Sequence, residues 1–209
     1  MPELSPGPSS YSSLDLALPR CPWAAADELR ADVVMVAYHD HEWGVPVYDD
    51  VDLFERLVLE GFQAGLSWST ILRRREAFRS AFRGFDPALV ARFGPADRER
   101  LLADVSIIRN RAKIDATIGN AARFQETSAE AGSFAAYLAA RVPGPRPGLP
   151  LPRGTIQADL PARTDVSDAL SADLRRRGFG FVGPTIVYAL MQSIGLVDDH
   201  LPACFRYRG

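Results

Sequence analysis

Two cysteines, three histidines and a single lysine, Lys113, are all that the 209-residue chain holds of the side chains most used in metal, redox and amine chemistry. Two cysteines are too few for a disulfide scaffold. No apolar run approaches the roughly 18 residues of a membrane span, and no basic, apolar, small-residue signal opens the chain. A cytoplasmic protein without a membrane partner is therefore expected. Neither sign of charge dominates: 24 Lys and Arg stand against 26 Asp and Glu, a formal net charge of −2. Without a global basic field, any nucleic-acid contact has to come from local arginine clusters. Strand-like alternation is scarce, which argues against a sheet-based fold.

What is present is helical. The stretches VDLFERLVLEGFQAG, WSTILRRREAFRSAF, DRERLLAD, NRAKIDATIGNAARFQET, GSFAAYLAAR, VSDALSADLRRRG and PTIVYALMQSIG repeat apolar residues at three and four. Start signals are Asp50, the pair Asp86-Pro87, and Ser167 with acidic neighbours. With 47% hydrophobic residues the chain can bury one substantial core or two small lobes. The expectation is a flexible extension over residues 1–20, then a single all-α unit over 21–209 with two helical lobes and a Pro-rich surface loop at 141–154. There is no internal repeat of solenoid length.

Four stretches carry possible chemistry. RRRGFGFVGPTI places Gly178, Gly180 and Gly183 between two helices, with Pro184 opening the second and Arg175, Arg176 and Arg177 just upstream. Such a hairpin can bring backbone N–H groups and a helix N-terminus up to a phosphate, or can be a sharp helix corner with a basic end. VAYHDHEWGVPVYD crowds Tyr38, His39, His41, Glu42 and Trp43 together, and LEGFQAGLSW follows with Glu60, Gln63 and Trp68. Buried aromatics are usually core, but Gly61 and Gly65 interrupt an otherwise good helix, at about 1 kcal/mol each, as if something required close approach. In the tail, His200 and Cys204 stand four apart, a spacing that on a helix puts both side chains on one face. A metal bridging them would need two more ligands, and the only other cysteine is Cys21.

Taken in order, CPW, YHDHEWGVP, LEGFQAGLSW, IIRNRAKIDATIGNA, SDALSADLRRRGFGFVGPTI and GLVDDH, with a cysteine four residues on, resemble the DNA-3-methyladenine glycosylase I family of the helix-hairpin-helix superfamily. The resemblance runs from about Cys21 to Cys204. It implies an all-α helix-hairpin-helix glycosylase fold whose two chain ends are tied by one structural zinc ion on Cys21, His39, His200 and Cys204, a closed Cys₂His₂ set, with His41 left free.

The implied reaction is hydrolysis of the N-glycosidic bond of 3-methyladenine in double-stranded alkylated DNA, by a monomer that flips the damaged base into an aromatic pocket. Glu60 and Tyr38 would act on the base, with Trp68, Trp23, Trp43 and Gln63 around it. Gly65 and Leu66 would fill the gap left in the duplex, while Arg175, Gly178, Gly180 and Gly183 would hold its backbone. Two positions depart from the family pattern. Asp198 stands where the pattern has asparagine, and is either a catalytic carboxylate, as in other helix-hairpin-helix glycosylases, or a cap beside His200. Met35 stands where an aromatic is expected. A lyase would need an amine nucleophile, and Lys113 sits in an arginine-flanked helix. The alternative from another class is a zinc-stabilised, non-catalytic DNA-binding helix-hairpin-helix protein.

Overall fold

The computed structural model describes residues 14–24, 32–142 and 151–208, and no strand forms among them. Among the described residues ten α-helices follow one another: α1 (Val33–His41), α2 (Asp50–Gln63), α3 (Trp68–Leu72), α4 (Arg75–Ala81), α5 (Pro87–Val90), α6 (Pro95–Ala103), α7 (Arg111–Ala131), α8 (Phe134–Ala139), α9 (Asp165–Arg176) and α10 (Pro184–Ser193). The expected all-helical class is what the chain adopts. Most of the expected extension, residues 1–13, and most of the Pro-rich loop, residues 143–150, lie outside the described residues.

Helix α2 is the axis of the molecule. Its residues Leu53 to Phe62 are all buried, so it packs on every side rather than along one stripe, against α7, α8, α10 and α3. Around it lies a core rich in phenylalanine, including Phe54, Phe62, Phe78, Phe82, Phe124 and Phe134. The helix starts one residue earlier than expected. Asp49, with extended φ/ψ, is the cap and accepts the N–H groups of Val51 and Asp52, whereas the Asp50 carboxylate accepts the N–H of Phe134 at 3.0 Å and so fixes the start of α8. Likewise α9 is capped by Thr164, and Ser167 is its partner three residues on in a capping box. Asp86-Pro87 opens α5 as expected.

The stretch expected as one helix from Trp68 is two, broken at Arg73 and Arg74. After the break Arg75 and Arg79 reach inward to Glu55, and the Arg74 guanidinium holds the carbonyl of Ser106 at 2.7 Å. Helix α1 has no counterpart among the expected helices. Five successive residues, Val36 to Asp40, are buried in it, so it shows no amphipathic period to read.

A second, smaller apolar cluster draws on both ends of the described chain: Cys21, Tyr38, Trp43, Leu72, Leu201 and Cys204, with Trp23, Met35, Trp68, Leu151 and Leu160 packed against it. The ends are stitched by polar contacts too. Arg20 forks onto both carboxylate oxygens of Asp40, at 2.8 and 2.6 Å, and the Phe205 N–H reaches the Pro19 carbonyl at 2.8 Å.

Gly195, at the end of α10, has φ +69, and a Cβ there would lie 2.6 Å from the Pro46 nitrogen and 2.7 Å from the Val45 carbonyl carbon. Backbone cannot give way as a flexible side chain can, so Gly195→Ala adds a clash to an unfavourable φ and should cost about 2 kcal/mol or more. Thermal denaturation should then show a midpoint lower by about 4–8 °C. A midpoint within one degree of the parent protein would contradict this packing.

Candidate functional site

Neighbouring residues on a helix point about 100° apart, so Tyr38 and His39 in α1 serve different neighbourhoods. Tyr38 lines a cavity of about 360 Å³. His39 turns to the two cysteines. One helix thereby forms the wall between two candidate centres.

The cavity is lined by Trp23, Met35, Tyr38, Trp43, Glu60, Gln63 and Trp68, together with Gln157, Leu160, Ala189 and Gln192. Six residues expected at a pocket (Glu60, Tyr38, Trp68, Trp23, Trp43 and Gln63) and the departure Met35 therefore lie in one place. The rings form a continuous wall: Trp23 and Trp43 are 5.0 Å apart and edge-on, and Tyr38 and Trp68 are 5.2 Å apart. Trp68 has an indole N–H that is buried with no partner among the described residues, a donor left for an incoming acceptor. Gln157 and Leu160 were not expected. They come from the segment after the Pro-rich loop, which the Tyr207 hydroxyl holds by the Leu151 carbonyl at 2.5 Å. Gln192 was legible only as the one amide in the apolar stretch YALMQSIG.

Glu60 is the one carboxylate in this lining. It is 4% exposed. Burial pushes its carboxyl up to about 8, against the pull of Arg56 and a hydrogen bond from Ser193. Burial also pushes the Tyr38 phenol up, which keeps it a neutral hydroxyl. The cavity thus presents aromatic faces, amides and one poised acid, and it has chemistry to offer a flat, polar, positively charged group.

On the other side of α1, the ligand atoms of Cys21, His39 and Cys204 all lie within 4.8 Å of one another, and all three residues are buried. The His39 Nε2 is 3.4 Å from the Cys204 sulfur, while its Nδ1 meets Asp40 at 2.8 Å. His200 stands beside them, with its ring centroid 5.0 Å from that of His39. Its Nδ1 meets Asp198 at 2.6 Å, and its Nε2 is buried without a partner. Backbone N–H groups of Leu201 and Arg206 approach the two sulfurs. The Cys204 thiol is held low by hydrogen bonds from Cys21 and His39 despite its burial. Each imidazole thus has Nδ1 fixed by a carboxylate, while Nε2 faces the Cys204 sulfur in His39 and is unpartnered in His200, the arrangement of metal-ligating histidines. His41 is exposed and stands apart.

Asp198 does not line the cavity. Its Oδ1 takes both the ring nitrogen and the backbone N–H of His200. Burial works to raise its carboxyl, but these hydrogen bonds hold it below the usual carboxylate range.

The glycine hairpin joins α9 to α10 as read from the sequence, but much of its backbone is engaged internally. The N–H groups of Gly178 and Phe179 return to Arg175 and Leu174. Asn120 of α7 clamps Gly180 from both sides, accepting its N–H at 2.8 Å and donating to its carbonyl at 3.0 Å. Gly183 caps α10 with no side-chain bond, so the first turn of α10 keeps its N–H groups for something outside the helix. Arg175 is exposed near Gly183. On the turn after α2, Gly65 has φ +82 with open space around it, and Leu66 is 40% exposed. Lys113 fixes that turn: its ammonium donates to the carbonyls of Phe62 at 2.8 Å and Ala64 at 2.6 Å.

Residues 28–207 match the family described as methyladenine glycosylase. The chain is 45% identical over 190 residues to DNA-3-methyladenine glycosylase 1 of Escherichia coli, covering 91% of this chain and 97% of that protein. It is similar to a crystal structure of 3-methyladenine DNA glycosylase I, with a TM-score of 0.82 and 43% identity over 90% of this chain and 100% of that one. A variant of 3-methyladenine DNA glycosylase I in complex with 3-methyladenine superposes with a TM-score of 0.81 at 34% identity, over 91% of this chain and 98% of that one.

The acid in the cavity has a consequence for stability. A carboxyl that titrates near 8 in the fold and near 4.5 unfolded binds its proton more tightly when folded. Stability should fall as pH rises from about 4.5 and the loss should be complete above about 8. Glu60→Gln is neutral throughout, so its advantage over the parent in denaturant midpoint should widen between pH 5 and pH 8. A difference that stays constant over that range would show that Glu60 is not held in this way.

Proposed function

The chain belongs to the methyladenine glycosylase family and is a glycosylase enzyme, and from this we propose that it hydrolyses the N-glycosidic bond of 3-methyladenine in double-stranded alkylated DNA. The observation that carries the reading is Glu60, the one carboxyl in an aromatic cavity large enough for a base. Methylation of the ring nitrogen makes the base a cation and a good leaving group. An anion at Glu60 and the faces of Trp68 and its neighbours attract such a base over a neutral one, with cation–π attraction worth about 0.5–2 kcal/mol. The C–N bond electrons leave with the base, which departs neutral; water then adds its oxygen to the cationic sugar carbon and releases one proton to solvent, leaving the sugar hydroxyl. Because the bond is already weak, selection of the cation carries most of the specificity. The non-catalytic alternative gives way to the enzyme assignment.

Reaching the bond requires the nucleotide to leave the stack, at a cost of a few kcal/mol. Gly65 and the exposed Leu66 would fill the gap, and Arg175, Gly178 and Gly183 with the open first turn of α10 would hold the phosphates. Gly180 contributes through Asn120, as the residue that fixes the hairpin's shape. The protein acts as a monomer on this reading.

Zinc fits the second centre. Cys21, His39 and Cys204 supply three ligand atoms, and the unpartnered Nε2 of His200 is the fourth donor. Bound there, the ion supplies structural cross-linking of the two chain ends and no reacting water. Asp198 orients His200 for it, as Asp40 orients His39.

Release of 3-methyladenine from alkylated duplex DNA, separated by chromatography, tests the activity directly. Glu60→Gln should lower release at least tenfold while leaving affinity for undamaged duplex within about twofold, since phosphate contacts dominate that affinity. Arg175→Ala should instead weaken duplex binding and flatten its salt dependence. Equal loss of undamaged-duplex affinity in both variants would refute this division of labour.

Metal binding that joins chain ends is folding free energy. Cys204→Ser should therefore lose bound zinc and thermal stability together. A purified parent protein without zinc, whose melting is unchanged by a chelator, would refute the four-ligand site.

A further inference from the structure

Behind the cavity wall runs a row of buried charge that the reaction described so far does not use. Glu42 accepts from Arg56 at 2.5 Å and from Arg75 at 2.6 Å, and Arg75 and Arg79 both donate to Glu55. Three guanidinium groups thus face the buried Glu55 and the partly buried Glu42. The third carboxylate, Glu76, pairs with Arg79 at the solvent end of the row, where its side chain is 82% exposed. Three carboxylates thus answer three guanidinium groups, and Arg56 stands at the end of the row away from solvent-exposed Glu76, with one hydrogen-bonded carboxylate, Glu42, that it shares with Arg75.

Arg56 is placed unlike a structural arginine. Its side chain is 7% exposed, and its Nη1 is buried without a hydrogen-bond partner among the described residues. Its guanidinium carbon lies 5.4 Å from the centroid of the Tyr38 ring. It also stands four residues before Glu60 on α2, on the same face of the helix. Burying a cation with an unmet donor is costly unless another anion or an aromatic face answers it. The aromatic face is Tyr38, and the anion within reach is Glu60.

We propose that Arg56 is a positioning residue for recognition of the cationic base: it holds the Tyr38 ring in the cavity wall and supplies the counter-charge that lets Glu60 give up its proton to receive the cation. This rests on the reading that Glu60 receives the base. Around Glu60 stand Arg56 on its own helix, the Ser193 hydroxyl on α10 and the Tyr38 phenol on α1, with the uncharged amides of Gln63 and Gln192 in the same cavity. Behind Arg56, Glu42 is shared with Arg75, and the Asp52 carboxyl on α2, itself pushed up by burial and by Asp49 and Glu55, is also within electrostatic reach of Arg56. Arg56 is the cation that opposes the effect of burial on Glu60. Glu60 lines the cavity and Arg56 does not, so a bound base meets the Glu60 carboxylate directly and the Arg56 guanidinium only from behind the lining. The attraction therefore acts over the shorter distance, and the repulsion from Arg56 is the weaker effect.

The test follows the Glu60 carboxyl by carbon NMR on glutamate-labelled free protein, with its signal identified by its loss in Glu60→Gln. The parent midpoint should lie near 8. Arg56→Met should raise it by about one pH unit or more, and Arg56→Lys, which keeps the charge, should bring it back. In parallel, release of 3-methyladenine at pH 7 should fall about tenfold in Arg56→Met and recover as pH is raised. An unchanged midpoint in Arg56→Met, or a loss of release that is the same at every pH, would overturn the proposal. Should Arg56→Met fail to fold, the double variant Arg56→Met, Glu42→Gln removes both halves of the ion pair and gives the same two readings. If the parent releases no base, the assigned reaction fails, while the Glu60 midpoint still decides the role of Arg56.

Discussion

Glu60 is held where water cannot solvate its charge, and much of the surrounding structure can be understood as the means of holding it there. A carboxyl among indoles and a phenol keeps its proton near neutrality unless a cation is supplied. The fold bears that cost through the packing of α2, whose ten successive buried residues anchor the helix on all sides. A neutral base offers such a site little, whereas a methylated, cationic base offers the missing charge. On the proposed reading, selectivity for damage follows from electrostatics and does not require a precise outline of the methyl group.

The second dependence is on joining distant pieces of chain. Trp23, two residues after Cys21 in the sequence, forms one side of the cavity, and Leu160 and Gln157 form another. Neither piece belongs to the phenylalanine-rich core. They are held by the small cluster around Cys21, Tyr38, Trp43 and Cys204 and by the Tyr207 contact to Leu151. A metal on Cys21, His39, His200 and Cys204 would therefore fix the cavity wall as well as the chain ends, since Tyr38 and His39 are neighbours on α1.

The hairpin and the central helix were legible in the sequence, because close glycines at a helix corner and a long apolar period are local signals, whereas the aromatic and acidic residues of the cavity read locally as core and surface and were drawn together only by the family resemblance. Helix α1 was not legible, since a helix buried through its middle has no apolar stripe. Gln157 and Leu160 were not, because a tertiary contact far along the chain places them. The hairpin itself was only half legible: three close glycines announce a tight turn, but not that Asn120, sixty residues earlier, occupies the N–H of Gly180. Asp198 was legible as a departure, and the side-chain geometry then set it against His200 instead of the cavity.

Proton release on binding tests most directly whether a buried acid selects the cation. The probe is 3,9-dimethyladeninium, a permanent cation with a methyl group in place of the sugar, titrated calorimetrically at pH 7 in two buffers of different ionisation enthalpy. If Glu60 gives up its proton to receive the cation, nearly one proton should leave the parent protein per cation bound and none should leave Glu60→Gln. Binding with no net proton release, or with the same release in both proteins, would contradict it.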